Sequence, residues 1–483
     1  MKRAQFAGFG LALALAASAA TAQQVVTKQY EDGGFYEGTF KDGVQHGYGS
    51  YRLTNGYEYV GDWANGVIEG QGRARFPNGS VYEGAFVAGK PEGKGRIVFA
   101  DGASYEGDWV AGEITGEGIA IYANGTSYSG GFVNAVHNGK GEMRSADGYV
   151  YSGDWVMGVK QGIGTITYTD GSVYEGQMVN GQREGQGRLT TAEGMIYEGG
   201  WLAGQMSGAG RLTQPGGDVF EGTMLDGKRS GQGKVTYANG DIYEGGFVAD
   251  RRHGQGVFRG TDGYLYEGAW VEGRIEGEGR VVYPDGTVYD GEFVADQPEG
   301  QGRITYPDGS IYEGGWVGGV IEGRGVAIYA NGMTYEGEFL AGRNHGQGRM
   351  SYPDGYTYEG AWENGQRHGL GRAVYANGSV YEGGFVQGLR EGKGTLTTPA
   401  GYRYEGDWVA GLSDGQGIAT YPEGDVYEGG FVAGKRQGTG VMRYRSGSVI
   451  EGVWREDAPV AGVAEPPDAA PPSAPEAPAV PAN

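Results

Sequence analysis

The chain has 483 residues, 102 of them glycine and none cysteine, and its 60 acidic against 38 basic side chains give a formal net charge of −22. That charge argues against a nucleic-acid surface, because so acidic a chain repels polyanions at long range. The missing cysteines exclude a disulfide framework. Glycine without a Gly-X-Y period excludes collagen, and 35 Tyr, 15 Phe and 9 Trp supply more apolar surface than a disordered chain carries.

Residues 1–22 read as a secretory signal. Lys2 and Arg3 make the basic start, Phe6–Ala20 is an apolar run too short to span a bilayer comfortably, and Ala20-Thr21-Ala22 is a small-x-small cleavage site before Gln23. The competing reading is an uncleaved anchor. Cleavage would leave 36 basic residues against 60 acidic, a net charge of −24. With no cysteine to carry a lipid at that site, the expected destination is the periplasm of a bacterial envelope or the medium outside it. Residues 23–35 are a short lead-in.

From Tyr36 the chain repeats every 23 residues without insertion or deletion. Counting offsets from the tyrosine of Tyr-Glu-Gly, that position recurs at Tyr59, Tyr82 and onward to Tyr427, with Phe220 and Ile450 as its two substitutes. Residues 36–456 hold 18 full units and one truncated unit, each full unit carrying Gly-x-Gly at offsets 11 and 13 and a further Gly at offset 20.

Within a unit the periodicity is two, the signature of a strand. Tyr312, Gly314 and Trp316 alternate with Ile311, Glu313 and Gly315; before them Gly302, Ile304 and Tyr306 alternate with Arg303 and Thr305. Pro307-Asp308-Gly309 between the two predicts a three-residue hairpin loop with Gly309 left-handed. Pairing Tyr306 with Ser310 sets Ile304 opposite Tyr312, Gly302 opposite Gly314 and Arg303 opposite Glu313. The chain supports this register itself: offset 14 is basic nine times, from Arg73 to Arg372, and each time the predicted partner, from Glu83 to Glu382, is acidic. The plain alternative is composition, since Glu is common at that offset. A single hairpin cannot bury its aromatic face, so neighbours must continue the sheet. The facing glycines leave room for rings to lie across the strands.

The expected fold is therefore all-β, an elongated ribbon of tandem antiparallel hairpins. At about 4.8 Å per strand it would span on the order of 180 Å along the sheet. The stretch Tyr312–Gly332, YEGGWVGGVIEGRGVAIYANG, resembles the MORN (membrane occupation and recognition nexus) repeat, and the resemblance covers about residues 30–456. It implies a twisted ribbon of hairpins and a role in protein–protein assembly, in some members at membranes or lipid head groups. Some plant phosphoinositide kinases carry such repeats beside a kinase domain; no kinase part is present here.

A longer period runs inside the first. All nine tryptophans sit at offset 4, and the units between them carry Phe or Met there, so the pattern repeats every 46 residues with one slip at Met224/Phe247. Two readings compete. Alternating large and small rings ease packing down the ribbon; or Trp63, Trp109, Trp155, Trp201, Trp270, Trp316, Trp362 and Trp408 form an open binding face with an anchor about every 19 Å. Other motifs carry less. No helix follows the Gly-x-Gly pairs, so no helix N-terminus waits for a phosphate. Gly89–Gly95 and Gly388–Gly394 fall one residue short of a phosphate loop. The five histidines, His137 and four at offset 10, read as solvated loop residues; His345 and His368 lie one unit apart, too far to share a zinc. Asn78-Gly79-Ser80 and its analogues match glycosylation acceptors but read as hairpin turns. Residues 457–483 are rich in Pro and Ala, with four acids and no base, and read as an extended disordered spacer.

No unit breaks the pattern as a catalytic site would. The expected function is a non-enzymatic scaffold or binding rod in a bacterial envelope, with protein partners and no cofactor or metal; the alternative is glycan or lipid binding along the aromatic face. Modularity gives a direct test. Deleting one whole unit, Tyr243–Leu265, should leave a folded protein by circular dichroism melting, whereas deleting 11 residues from the same place should break face alternation and loop pairing. Equal damage from both deletions would contradict the repeat scheme.

Overall fold

The computed structural model describes residues 24–460. Residues 1–22, read from the sequence as a secretory signal, and all but the first residues of the stretch read as a spacer lie outside that range. The chain divides into two units at Pro215/Gly216. In the first, 17 strands run from Val26–Gln29 to Gln205–Thr213; in the second, 22 run from Val219–Leu225 to Ala458–Pro459. Within each unit every strand pairs antiparallel with the next in sequence, and no helix occurs among the described residues.

Each repeat is a short strand of 7 residues and a longer one of 9, as in Ile311–Val317 and Val320–Ile328. The register is the expected one. Ile304 faces Tyr312, Gly302 faces Gly314 and Arg303 faces Glu313. The loop before Tyr312 closes as predicted: the Tyr306 amide donates to the Ser310 carbonyl at 2.8 Å, and Gly309 is left-handed at φ 87°.

Two features refine the sequence reading. First, the strand bearing Tyr312 is not regular. Against its own hairpin partner the register shifts between Gly314 and Trp316, so Gly315 is a bulge residue. Second, the link between the two strands of a repeat is a two-residue turn with both residues left-handed, as at Gly318 (φ 55°) and Gly319 (φ 81°). That is type I′ geometry, whose twist matches the strands it joins. Each such turn is tied to the preceding repeat: the Gly319 amide donates to the Pro298 carbonyl at 2.9 Å, and Glu299 Oε2 accepts from the Gly318 amide at 2.8 Å. Carboxylates at offset 10 make the same contact repeatedly, Glu69 on Ala88 and Glu391 on Ala410 among them. The Gly-x-Gly pairs lie inside the longer strand rather than in a loop, as Gly323 and Gly325 do in Val320–Ile328.

The end of the array shifts by a few residues. The sequence places the spacer from Asp457, but Ala458–Pro459 pairs with Val449–Arg455, and the Arg436 amide donates to Asp457 Oδ1 at 2.9 Å.

The core lies on one face of the sheet. Buried tyrosines at offset 0 alternate there with mostly aliphatic residues at offset 15, such as Ile304 and Met350, most of them buried too. The paired glycines are what let the rings lie flat. A Cβ at Gly314 would stand 2.5 Å from the Gly325 Cα and from Tyr312 Oη, whereas one at Gly309 would meet nothing within 4 Å. Gly309→Ala should therefore cost only the left-handed backbone, about 1–2 kcal/mol. Gly314→Ala, which collides with backbone as well as ring, should cost at least about 3 kcal/mol by the same chemical denaturation experiment. Equal losses would mean that the ring does not need the bare backbone.

Candidate functional site

The aromatic face is where sequence reasoning placed a binding surface. The Tyr312 ring crosses its own strand pair over Gly314 and Gly325, and its hydroxyl donates to the carbonyl of Gly315 at 3.0 Å. Gly315 is the bulge residue, so the hydroxyl satisfies a carbonyl at the point where the ladder is interrupted. The same bond recurs from Tyr36 onto Thr39 through Tyr427 onto Gly430. Burial pushes these phenols up, to about 12 at Tyr243 and at Tyr312.

The rings at offset 4 close the spaces between successive tyrosines. Tyr289 meets Trp316 edge-on at 5.2 Å between centroids, Trp316 meets Tyr312 at 5.7 Å, and Tyr312 meets Phe339 at 4.9 Å. From Tyr243 to Trp454 this edge-to-face zigzag is unbroken. Most tryptophans also satisfy their N–H inside the sheet: Trp316 Nε1 donates to the Gly302 carbonyl at 3.2 Å and Trp408 Nε1 to Gly394 at 3.1 Å.

Trp63, Trp109, Trp155, Trp201, Trp270, Trp316, Trp362 and Trp408 are consequently buried, none more than 7% exposed. They are not an open face. The regular 46-residue alternation is the packing alternation of large and smaller rings. The glycan or lipid alternative required exposed rings and so loses its platform.

The side chains at offset 9 complete this packing. Arg390 is 2% exposed, lies 4.5 Å from the Trp408 ring centre and donates through Nη2 to the Gly411 carbonyl at 2.7 Å. Arg252 sits 3.9 Å from the Trp270 ring centre. His137 occupies the same offset and is packed rather than solvated: it stacks on Tyr128 at 3.7 Å, and burial lowers its pKa.

The charged groups are on the opposite, outward face. Offsets 1 and 14 form one cross-strand ladder there. Glu83 pairs with Arg73 at 2.8 Å, Asp290 with Arg280 at 3.1 Å, and Glu382 with Arg372 at 2.9 Å. Beside the ladder runs a row that sequence reasoning missed: an aliphatic residue at offset 5, including Val110, Val156, Leu202, Val271, Val317 and Val409, each about half exposed. Its signal was present in the sequence as a valine or leucine directly before most of the two-residue turns, Lys41, Ala64, Glu363 and Arg455 being the exceptions.

A tandem array of hairpins with an internally satisfied aromatic face and a charged outward face defines a repeat-built binding scaffold as the class. The MORN repeat model matches eighteen successive stretches, from residues 36–56 and 59–81 through 404–426 and 427–449, and the chain belongs to the MORN repeat family. No curated protein matches it. Among solved structures it is similar to the TCP domain of SAS-4 (dCPAP) of Drosophila melanogaster in complex with a proline-rich motif of Ana2 (dSTIL), at 16% identity over 37% of this chain and 90% of that one, TM-score 0.22. It is similar also to the wild-type TCP10 domain of Danio rerio CPAP, at 14% identity over 50% and 99%, TM-score 0.20. At such scores neither likeness carries an argument about function.

The raised phenols make the fold sensitive to alkali, with a definite sign. A folded pKa near 12 against 10.0 for the free phenol favours the neutral, folded form. That stability is full below pH 10 and is lost as pH climbs from 10 towards about 12, by about 1.4 kcal/mol per tyrosine per pH unit. Tyrosinate absorbance and loss of the sheet signal should rise together in that window. Titration of the whole tyrosine set near pH 10 with the sheet intact would contradict the packing.

Proposed function

We propose that the protein is a non-enzymatic scaffold that recognises protein partners through the outward face of its hairpins, and that it acts after export, in the periplasm or outside the cell. The observation that carries this reading is the burial of the offset-0 and offset-4 rings in mutual packing, which leaves the charged ladder, the offset-5 aliphatic row and part-exposed rings at offset 17 such as Phe99 and Tyr306 as groups a partner can reach. Family membership supports an assembly role, and the signal-like segment 1–22 supports export. Near-identical units favour many weak, additive contacts over a single tight one, so avidity grows with the number of units engaged.

Photo-crosslinking in the native cell tests it. A photoreactive residue in place of Glu313 or Val317, both outward-facing, should give discrete protein adducts in the envelope or secreted fraction. Adducts with lipid or glycan alone, or a chain that stays in the cytoplasm, would overturn the proposal.

A further inference from the structure

The outward ladder does not keep its charges matched to the end. Between Arg280 and Glu382, basic residues at offset 14 stand between most successive carboxylates. After Glu382 they stop. Thr395 faces Glu405, Ile418 lies between Glu405 and Glu428, and Val441 lies between Glu428 and Glu451. Glu405 still has Arg403 at 2.6 Å, on its own strand. Glu428 and Glu451 make no ion pair; Arg443, the nearest cation along the middle strand, stands opposite Val426 and Val449 and bonds to neither carboxylate. Glu405, Ile418, Glu428, Val441 and Glu451 line a groove of about 970 Å³, which runs across six consecutive strands and exposes Ile418 and Val453 beside the carboxylates.

We infer that this groove binds an extended chain in the polyproline II conformation that carries a positive side chain at every third residue. The inference rests on the protein-partner reading above and narrows its chemistry. Spacing is the first argument. Glu405, Glu428 and Glu451 follow one another two strands apart, about 9.6 Å at 4.8 Å per strand. Polyproline II repeats every three residues in about 9.3 Å, so its cations stay in step with the carboxylates. Same-side residues of a β-strand recur at about 6.7 Å and drift out of step within one repeat. Direction is the second. The groove crosses the strands on a sheet face whose backbone is already paired, and a polyproline II chain needs no backbone pairing because its own backbone is solvated. Chemistry is the third. Ile418 and Val441 stand between the carboxylates and offer apolar contact to the two intervening residues of each turn. At Arg280, Arg303, Arg349 and Arg372 an arginine occupies that position and would repel such a ligand.

A fluorescent peptide of repeated Arg-Ala-Pro triplets, titrated against the intact chain by anisotropy at low salt, reads this directly. Saturable binding should weaken about tenfold in Glu428→Gln/Glu451→Gln, which removes two exposed ion pairs, and should fall as salt rises. Val441→Arg, which copies the neutralised repeats, should weaken it at least as much; a far-ultraviolet dichroism spectrum confirms that each variant is folded. A peptide of the same length and composition, with its arginines gathered at alternate positions of one segment, should bind several-fold less tightly. Unchanged binding by the folded variants, or equal binding of the two spacings, overturns the inference. Either result leaves the broader reading standing, because that reading is tested by crosslinks at Glu313 and Val317, outside this groove.

Discussion

The rest of the structure depends on a tyrosine ring laid flat over paired glycines. A sheet of single hairpins has no second layer to bury its apolar face, so the face must be covered by its own side chains. Tyr312 does this by crossing its strand pair where Gly314 and Gly325 leave bare backbone. Its hydroxyl then meets the carbonyl of the bulge residue beyond. Ring, glycines and bulge are therefore one device, and the spacing Tyr-x-Gly with Gly-x-Gly eleven residues on is its written form. Phe220 shows that the ring can act without the hydroxyl, since it remains buried over Gly222 and Gly233.

Everything on the core face follows from that placement. Rings laid across strands leave gaps at offset 4, and these take Trp or Phe edge-on, where the ring edges favour the π-faces of the tyrosines. The offset-9 side chain fills what remains under the next ring, which is why a buried arginine such as Arg390 is tolerated: it bonds a carbonyl and lies against aromatic faces. Because each repeat finishes its core with its immediate neighbours, the outward face is free to vary without loss of fold. On the proposed reading, variation along the ladder, from paired Arg280–Asp290 to unpaired Glu428, is where one array differs from another in what it binds.

Much of this was legible in the sequence. The 23-residue period, the register through Arg303–Glu313 and the loop at Pro307–Gly309 follow from alternation, charge pairing and turn chemistry, all of which are local. The bulge at Gly315 was not, because alternation looks unbroken through it and only the pairing with the following strand reveals the extra residue. Nor was the fate of the tryptophans. Periodicity shows that Trp63 to Trp408 share a face; whether that face is open depends on how the neighbouring tyrosines are tilted, which is set by contacts between repeats. His137 was misread for the same reason: its offset is one residue from the other histidines, and that residue turns it from solvent into the ring stack.

The most direct test of the central device is a double-mutant cycle between ring and glycine. The three atoms nearest a Cβ at Gly325 all belong to the Tyr312 side chain, at 2.5 to 2.7 Å. Gly325→Ala should be measured by chemical denaturation in the native chain and again in Tyr312→Ala. The account predicts strong coupling: the alanine costs about 2 kcal/mol or more beneath the ring and much less once the ring is gone. Equal costs in the two backgrounds would show that ring and glycine act independently, and would contradict the account.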